Sequence, residues 1–348
     1  MKFAVLCPGQ GAQHSGMFDL VREHPDAQRA IERAAAALGE DPRRWLADTD
    51  AIFTNALAQP LICVAQLAQW QALRSLLPQP AAFAGYSVGE LACYGLSDAL
   101  DAGELAMLAR RRATLMDAAA ADRPGGVFAV RGLARGPVER HCAGVAAFVA
   151  IVIAADAFVI GGAQGALQVA KDRMAHAGGR ITELRIGVAS HTPLLEAAVA
   201  GFRETLERSR LRGSAPPVVA GIDATLVTTR PRAIATLSAQ LARTVEWARC
   251  LDALYERGCR TYLELGPGRA LSKTTRSPRR IASRISCVTK STEHPVLATA
   301  SSKRRCMFSL IRSSRAPNGS SIKSSSGSMT IVRARARRWR MPPDSDLG

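Results

Sequence analysis

The sequence of 348 residues has no C-x-x-C pair and no apolar run typical of a cleaved signal peptide. Its eight cysteines are scattered singly, and several lie within apolar helical or strand patterns. Scattered cysteines favour reduced thiols over a disulfide framework, and they predict a cytoplasmic protein. The apolar start of the chain is too short for a signal peptide and stops at Pro8 and Gly9, so we interpret it as a buried first strand.

A membrane-spanning helix is not expected either. The most membrane-like stretch is 143–162, in which Asp156 is the one charged residue. Its length alone would allow a membrane span. Its β-branched and aromatic residues instead fall into two clusters, 148–153 and 158–160, on either side of a short turn. This pattern predicts two adjacent strands and no membrane partner.

Acidic residues are scarce at the end of the chain and nearly balance the basic residues elsewhere. The net charge of the whole chain is +17. Residues 274–348 have 16 basic and 3 acidic side chains, which leaves a net charge of only +4 on residues 1–273. We interpret this Ser/Arg-rich tail as disordered or as an out-of-frame reading of the gene. The alternative is a basic tail that binds nucleic acid, but a charge confined to the tail makes nucleic acid an unexpected partner.

Apolar residues make up 47% of the chain, which is enough for a large core. Alternating strand and helix patterns predict a mainly parallel sheet covered on both faces. Between 124 and 186 the order changes to β-α-β-β-α-β, which predicts a ferredoxin-like subdomain inserted between 1–123 and 187–273. In the large domain, 59–76 is predicted as a helix with one apolar face, and 218–222 as a strand.

The stretch 85–90, Gly-Tyr-Ser-Val-Gly-Glu, joins an apolar run to a helical pattern. In a tight strand-to-helix turn a serine is held away from the sheet, and glycines two positions before and after it let the strained backbone pack. This context predicts a nucleophile elbow with Ser87 as the nucleophile. A bare five-residue match is more often an ordinary turn, and the elbow also occurs in esterases and thioesterases.

A serine hydroxyl needs a nearby base to take its proton. The chain has six histidines, of which His14 and His191 lie in turn-like segments after strands, where active-site groups collect. His191 is the better candidate because it stands where the chain enters a segment after a strand. The glycine-rich loop 8–13 follows the first strand, does not match G-x-G-x-x-G, and offers backbone N–H groups to an anion or an oxyanion.

Residues 1–273 resemble the malonyl-CoA:acyl carrier protein transacylases in seven short motifs. No single motif is specific, but their order and spacing together are. The motifs are P-G-Q-G-x-Q at 8–13, Q-P at 59–60, G-x-S-x-G-E at 85–90, R-x-x-x-M at 112–116, S-H-x-x-L at 190–194, Q-L at 240–241 and E-x-G-P-G at 264–268. The resemblance implies a hydrolase-like parallel-sheet core with an inserted ferredoxin-like α+β subdomain.

The resemblance also implies the catalytic roles. Ser87 would carry the acyl group, and His191 would be the base, oriented by the backbone carbonyl at Gln240 rather than by a carboxylate. The backbone N–H groups of Gln10 and Val88 would form the oxyanion hole. The implied reaction is ping-pong transfer of malonyl from malonyl-CoA to the prosthetic-group thiol of an acyl carrier protein, with no bound cofactor and no metal.

Arg112 would hold the free carboxylate of the malonyl group. Arginine suits this role because its planar fork can donate two parallel hydrogen bonds and keeps its charge at any working pH. Its neighbours Arg110 and Arg111 are expected to lie on a solvated helix face.

One position departs from the usual pattern of the family. The family usually has histidine directly before the serine, whereas this chain has Tyr86. In this respect the elbow looks most like that of the acyltransferase (epsilon) subunit of malonate decarboxylase. The resemblance therefore predicts the carrier subunit of malonate decarboxylase as the acceptor and a possible place in that complex, with a transacylase of fatty acid or polyketide synthesis as the alternative.

Overall fold

The protein is described by a computed structural model that covers residues 2–268, 281–286 and 330–335. The first third of the chain alternates strands with helices, as the apolar patterns predict. Its elements are β1 (Lys2–Cys7), α1 (Pro25–Leu38), α2 (Asn55–Leu73), β2 (Ala82–Gly85), α3 (Val88–Leu96) and α4 (Ala102–Ala120).

The middle of the chain has the predicted β-α-β-β-α-β order. Its elements are β3 (Gly125–Arg131), α5 (Arg135–Cys142), β4 (Ala147–Ala154), β5 (Ala157–Ala163), α6 (Gln164–His176) and β6 (Arg180–Glu183). These strands form an antiparallel sheet with the order β4-β5-β3-β6, which is the ferredoxin-like arrangement. The inserted subdomain is thereby confirmed, while its exact boundaries stay predictions.

The chain then returns to the large domain. The remaining elements are α7 (Glu196–Arg208), β7 (Val218–Val219), β8 (Leu226–Val227), α8 (Arg230–Ala239), α9 (Trp247–Glu256), β9 (Cys259–Glu264), β10 (Ile281–Ser286) and β11 (Thr330–Arg335). The last two strands fall within the predicted tail, and the rest of 274–348 lies outside the described residues.

The larger sheet has the order β10-β11-β9-β1-β2-β7-β8. Its four central strands, β9, β1, β2 and β7, are parallel, whereas the pairings β10–β11, β11–β9 and β7–β8 are antiparallel. Cys7 at the end of β1 pairs with Gly85 at the end of β2. The loop after β1 and the turn after β2 therefore lie side by side at the carboxyl edge of the sheet, where open parallel sheets place their sites.

The central strands are buried on both faces. In β1, Phe3, Val5 and Cys7 belong to a core shared with α1–α4, whereas Ala4 and Leu6 belong to a second core beneath α9 and the subdomain. This alternation is expected for a strand, because successive side chains point to opposite faces of its sheet. The predicted parallel-sheet α/β core is confirmed.

The membrane-like stretch 143–162 contains the two predicted strands, β4 and β5. Phe158 and Ile160 face the core beneath α5 and α6, whereas Ala157 and Val159 face the core shared with the large domain. Because both faces of these strands are covered, their sequence is apolar at almost every position. Among the described residues, no helix combines the length and the apolar character needed to cross a membrane.

The helix predicted at 59–76 differs from the observed one. It begins four residues earlier, at Asn55, contains Pro60, and ends at Leu73 before a 3-10 turn. It is also buried on nearly all sides instead of along one face, because α1, α3 and α4 surround it. Gln59, Gln66 and Gln69 of this helix are therefore interior residues, which the helical period alone did not predict.

The strand predicted at 218–222 is shorter than expected. It ends at Val219, because Ala220 donates its N–H to the Thr225 carbonyl and Gly221 donates its N–H to a side chain of α3. The six cysteines that the structure describes are all unpaired and buried, and Cys287 and Cys306 lie outside it.

Candidate active site

Ser87 lies in a sharp turn between β2 and α3. Its backbone angles, φ 58° and ψ −123°, are unusual for a residue with a side chain, and such strain is typical of functional turns. The turn is possible because its neighbours are glycines. A β-carbon at Gly85 would lie 2.0 Å from the Glu90 nitrogen, and one at Gly89 would lie 2.0 Å from the Cys7 oxygen. The predicted elbow geometry is therefore present in the fold.

His191 contacts Ser87 across the sheet edge. Its Nε2 lies 2.8 Å from Ser87 Oγ, and its Nδ1 lies 2.6 Å from the backbone oxygen of Gln240. A carbonyl oxygen can only accept, so Nδ1 carries the ring proton and Nε2 is free to accept from the serine hydroxyl. Burial, together with the nearby charge of Arg112, lowers the pKa of His191 to about 3, so the ring is neutral at neutral pH.

The segment that carries His191 is fixed to the segment after α8. The N–H of His191 donates to the Leu241 oxygen at 2.9 Å, and His191 adopts a positive φ of 61°. These contacts hold the imidazole from its backbone as well as from its ring, so the base is fixed in place before any substrate binds.

The loop 8–13 lies against the elbow. A β-carbon at Gly9 would lie 3.2 Å from the β-carbon of Ser87, so the loop backbone directly borders the nucleophile. Val88 is the first residue of α3, and its N–H therefore has no acceptor within that helix. Val88 directly follows Ser87, and Gln10 follows the glycine that borders it, so the oxyanion-hole role of their N–H groups stays a prediction.

Two sets of side-chain hydrogen bonds hold this loop, and the sequence did not predict either of them. In the first, the amide of Gln10 donates to Asn55 Oδ1 at 2.9 Å, and Asn55 Nδ2 donates to Asp117 Oδ1 at 2.6 Å. In the second, Gln66 Nε2 donates to the Pro8 oxygen at 2.7 Å. Asn55 and Gln66 both lie on α2, so this buried helix positions the loop.

The G-P-G motif at 266–268 supports the same loop. The N–H of Gly266 donates to Gln69 Oε1 at 2.7 Å, and Gln69 Nε2 donates to the Met17 oxygen at 3.4 Å. A β-carbon at Gly268 would lie only 2.6 Å from that of Ala12. The motif therefore packs a turn after β9 against the loop after β1, which gives it a structural role next to the site.

Arg112 is 1% exposed, although it belongs to a run of three arginines. Its guanidinium donates to Gln59 Oε1 at 2.7 Å and to Gln240 Oε1 at 3.2 Å. Both acceptors are neutral amides, and no ion pair to Arg112 occurs within the described chain. Burial lowers its pKa to about 10, a value still high enough to leave the guanidinium charged at neutral pH. Arg110 and Arg111 are exposed, as expected.

Gln240 connects the arginine to the base. Its side-chain oxygen accepts from Arg112, its backbone oxygen accepts from His191, and its Nε2 donates to Glu90. Glu90 is fully buried in the first turn of α3. The sequence gives Glu90 no role beyond its place in the motif, because a glutamate in a first helical turn carries no signal of burial.

A cleft of about 770 Å³ opens beside His191, between the subdomain and the large domain. It is lined by backbone and side chains of β4, of α5 and of the segment 242–249. Two hydrogen bonds join the segment 242–249 to β4, from Val245 N to the Ala150 oxygen at 2.9 Å and from Val152 N to the Val245 oxygen at 2.8 Å. Tyr86, the residue before Ser87, packs edge-on against Trp247, with ring centroids 5.7 Å apart.

The structure thus brings Ser87, His191, Gln240 and Arg112 into one connected group. Val88 directly follows the serine, and Gly9 of the loop 8–13 borders it. His14, the weaker candidate base, lies outside the hydrogen bonds described for this group. Within the described residues, no group of three or more His, Cys, Asp or Glu side chains is placed to hold a metal ion.

Comparison with known proteins supplies the family. The acyl transferase domain family matches residues 5–292. The malonyl CoA-acyl carrier protein transacylase of Haemophilus influenzae is 30% identical, over 79% of this chain and 91% of the relative. The protein of the same name from Mycobacterium bovis is 31% identical, over 77% of this chain and 90% of the relative.

Solved structures agree with this assignment. The crystal structure of the acyl-carrier-protein S-malonyltransferase of Burkholderia pseudomallei is 28% identical and has a TM-score of 0.75, covering 79% of this chain and 92% of the other. A malonyl-transacylase in complex with its type II PKS acyl-carrier protein is 26% identical, with a TM-score of 0.75 and the same coverage. By its sequence, its fold and the group around its elbow serine, this chain belongs to the acyl transferase domain family.

Proposed function

We propose that the protein transfers malonyl from malonyl-CoA, through an ester on Ser87, to the thiol of an acyl carrier protein. The choice of acyl group rests on Arg112, whose buried guanidinium has neutral amides as its hydrogen-bond acceptors. A buried cation that no anion contacts directly is only partly compensated, and a substrate carboxylate could pair with this guanidinium directly. The names of the relatives support the same donor and acceptor.

The proposed mechanism has two similar half-reactions. Ser87 Oγ attacks the thioester carbonyl while His191 Nε2 takes its proton, and the N–H groups of Gln10 and Val88 stabilise the oxyanion. His191 then gives the proton to the leaving thiolate of coenzyme A. The carrier thiol reverses these steps, and the Gln240 carbonyl keeps the imidazole oriented throughout.

Mass spectrometry of the intact protein tests the covalent step. Wild-type protein exposed to malonyl-CoA should gain one malonyl group, and added carrier protein should remove it. Ser87→Ala should gain none, because the variant lacks the hydroxyl that contacts His191 Nε2 and would attack the thioester. A malonyl group still bound covalently to Ser87→Ala would sink the assignment of the nucleophile.

The same elbow could serve a thioesterase, and the fate of the acyl-enzyme distinguishes the two. A transferase protects its ester from water and waits for a thiol, whereas a hydrolase releases malonate without one. We therefore expect malonyl-Ser87 to persist over minutes in buffer and to disappear within seconds when carrier protein is added. Decay at one rate with or without carrier would favour hydrolysis.

For the acceptor we propose the carrier subunit of malonate decarboxylase, whose prosthetic group is a modified dephospho-coenzyme A. The support is Tyr86, which replaces the family's usual histidine beside the nucleophile and packs on Trp247. Purified malonyl-enzyme offered equal amounts of this carrier and of a phosphopantetheine carrier from fatty acid synthesis should react faster with the former. Preference for the phosphopantetheine carrier would instead place the protein in fatty acid or polyketide synthesis.

A further inference from the structure

Glu90 is a buried acid that the proposed mechanism does not use. It is 0% exposed, and its Oε2 accepts from Gly221 N at 2.8 Å and from Gln240 Nε2. Its Oε1 is buried and has no hydrogen-bond partner within the described chain. A β-carbon at position 221 would lie 2.8 Å from Oε2, so this contact depends on a glycine. A buried carboxyl group with one oxygen unpaired calls for an explanation.

Glu90 is linked to the proposed carboxylate clamp by one side chain. The amide of Gln240 stands between the two charges, with its oxygen toward Arg112 and its nitrogen toward Glu90. This orientation is determined by chemistry, because a guanidinium can only donate and a carboxylate oxygen accepts. The empty site therefore holds one buried cation and one buried acid, coupled through a single amide.

A malonyl group would change the charge of this arrangement. With a substrate carboxylate on Arg112, two acidic groups would share one cation, and like charges in a buried site raise each other's pKa. Burial already raises the pKa of Glu90 to about 7, although the hydrogen bonds from Gly221 and Gln240 oppose that rise. A modest further change is enough to move its protonation at neutral pH.

The other groups that face Glu90 do not replace it in this role. Burial raises the pKa of each of the nearby Cys and Tyr side chains, which keeps them neutral, and Asp223 is paired with Arg232. These neighbours are Cys93 and Tyr94 on α3, Cys250 on α9, and Asp223 in the turn after β7.

We propose that Glu90 is the counter-charge of Arg112 in the empty site and takes up a proton from solvent when a malonyl carboxylate occupies the clamp. This inference rests on the proposed function. Malonylation by itself moves the Ser87 proton to the coenzyme A thiolate and changes no other charge, so any proton taken from solvent reports a second group. The proton returns to solvent when malonyl leaves for the carrier thiol.

Glu90 is a positioning residue in this scheme, since it touches neither the acyl group nor the reacting atoms. It holds the amide of Gln240, whose backbone oxygen orients His191 and whose side-chain oxygen supports Arg112. Its ionised form suits the empty clamp, and its neutral form suits the malonylated enzyme.

The test measures protons and acyl-enzyme in the same reaction. Stoichiometric full-length protein is mixed with malonyl-CoA in weak buffer containing a pH indicator, and samples are quenched for mass spectrometry. Between pH 7 and 8 we expect uptake of roughly 0.3 to 0.7 proton per malonyl-enzyme. Because the malonylated form binds more protons, the equilibrium constant for malonylation should fall roughly twofold to fivefold over the same range. Acetyl-CoA should show neither effect.

Variants identify the titrating group. Glu90→Gln should form malonyl-enzyme without proton uptake, whereas Asp223→Asn should keep the uptake. Wild-type malonyl-enzyme formed in full yield without uptake would overturn the inference and leave the proposed function intact, as would uptake that persists in Glu90→Gln or occurs equally with acetyl-CoA. Failure of wild-type protein to form any malonyl-enzyme would overturn both. The comparison of malonyl with acetyl needs no variant, so it decides the matter even if Glu90→Gln does not fold.

Discussion

Replacing Arg112 with alanine should reduce malonyl transfer far more than acetyl transfer. Arg112 is 1% exposed, so a malonyl carboxylate beside it would be largely removed from water. Loss of one partner from a buried, hydrogen-bonded charge pair costs about 2 to 4 kcal/mol. That cost corresponds to about 30-fold to 900-fold in kcat/KM. Acetyl has no carboxylate, so its transfer should lose only the part that the amides of Gln59 and Gln240 contribute, roughly tenfold or less.

The assay measures kcat/KM for malonyl-CoA and acetyl-CoA with one carrier protein and compares the ratio between variants. Arg111→Ala is the matched control, because Arg111 precedes Arg112 on α4 but is exposed, and its ratio should stay that of the wild type. Arg112→Lys should recover only part of the malonyl rate, since an ammonium cannot donate the same planar pair of hydrogen bonds. Equal losses for both acyl groups in Arg112→Ala would refute the clamp.

Three further predictions follow from the site. Gly89→Ala should lower the free energy of unfolding in urea by about 1 to 3 kcal/mol, because the new β-carbon would meet a backbone oxygen, whereas Gly165→Ala, in open space, should not. Asn55→Ala should slow malonyl and acetyl transfer alike by roughly tenfold, because it removes the hydrogen bond that holds Gln10 of the loop 8–13 and leaves the contacts of Arg112 intact. A change in the ratio of malonyl to acetyl transfer would contradict this. Because the pKa of His191 is lowered, the imidazole stays neutral as pH falls. Acetyl transfer by Glu90→Gln, which removes the titration of Glu90, should therefore persist below pH 6.5. A loss of activity with a midpoint at pH 6.5 would argue against the buried, neutral imidazole.

The sequence predicted most of the fold and the main candidates for the site. The elbow could be predicted because a strand, a strained turn and a helix start are all encoded within ten consecutive residues, with glycines on both sides of Ser87. The strands β4 and β5 could be predicted because β-branched and aromatic residues cluster in them, even though their length resembles a membrane span. Local chemistry of this kind needs no knowledge of distant partners.

The polar residues of helices were harder to predict. Asn55, Gln66 and Gln69 recur along α2 at spacings that suit a solvated face, yet all three are buried and hold the loops beside Ser87. Their burial results from packing by α1, α3 and α4, whose positions no local pattern specifies. The early start of α2 and the short β7 were missed for the same reason, since contacts to distant chain segments decide both.

By itself the sequence determined which side chains are available: a serine in a strained turn, a histidine after a strand, and one arginine set in a run of three. Only the tertiary structure decided what those side chains contact. It brings His191 Nε2 within hydrogen-bond distance of a serine 104 positions away and gives Arg112 two amides as acceptors. It also places Glu90 where it accepts a hydrogen bond from a glutamine 150 positions along the chain. The physical reason is that the carboxyl ends of parallel strands meet at one sheet edge, which joins segments that are remote in the chain.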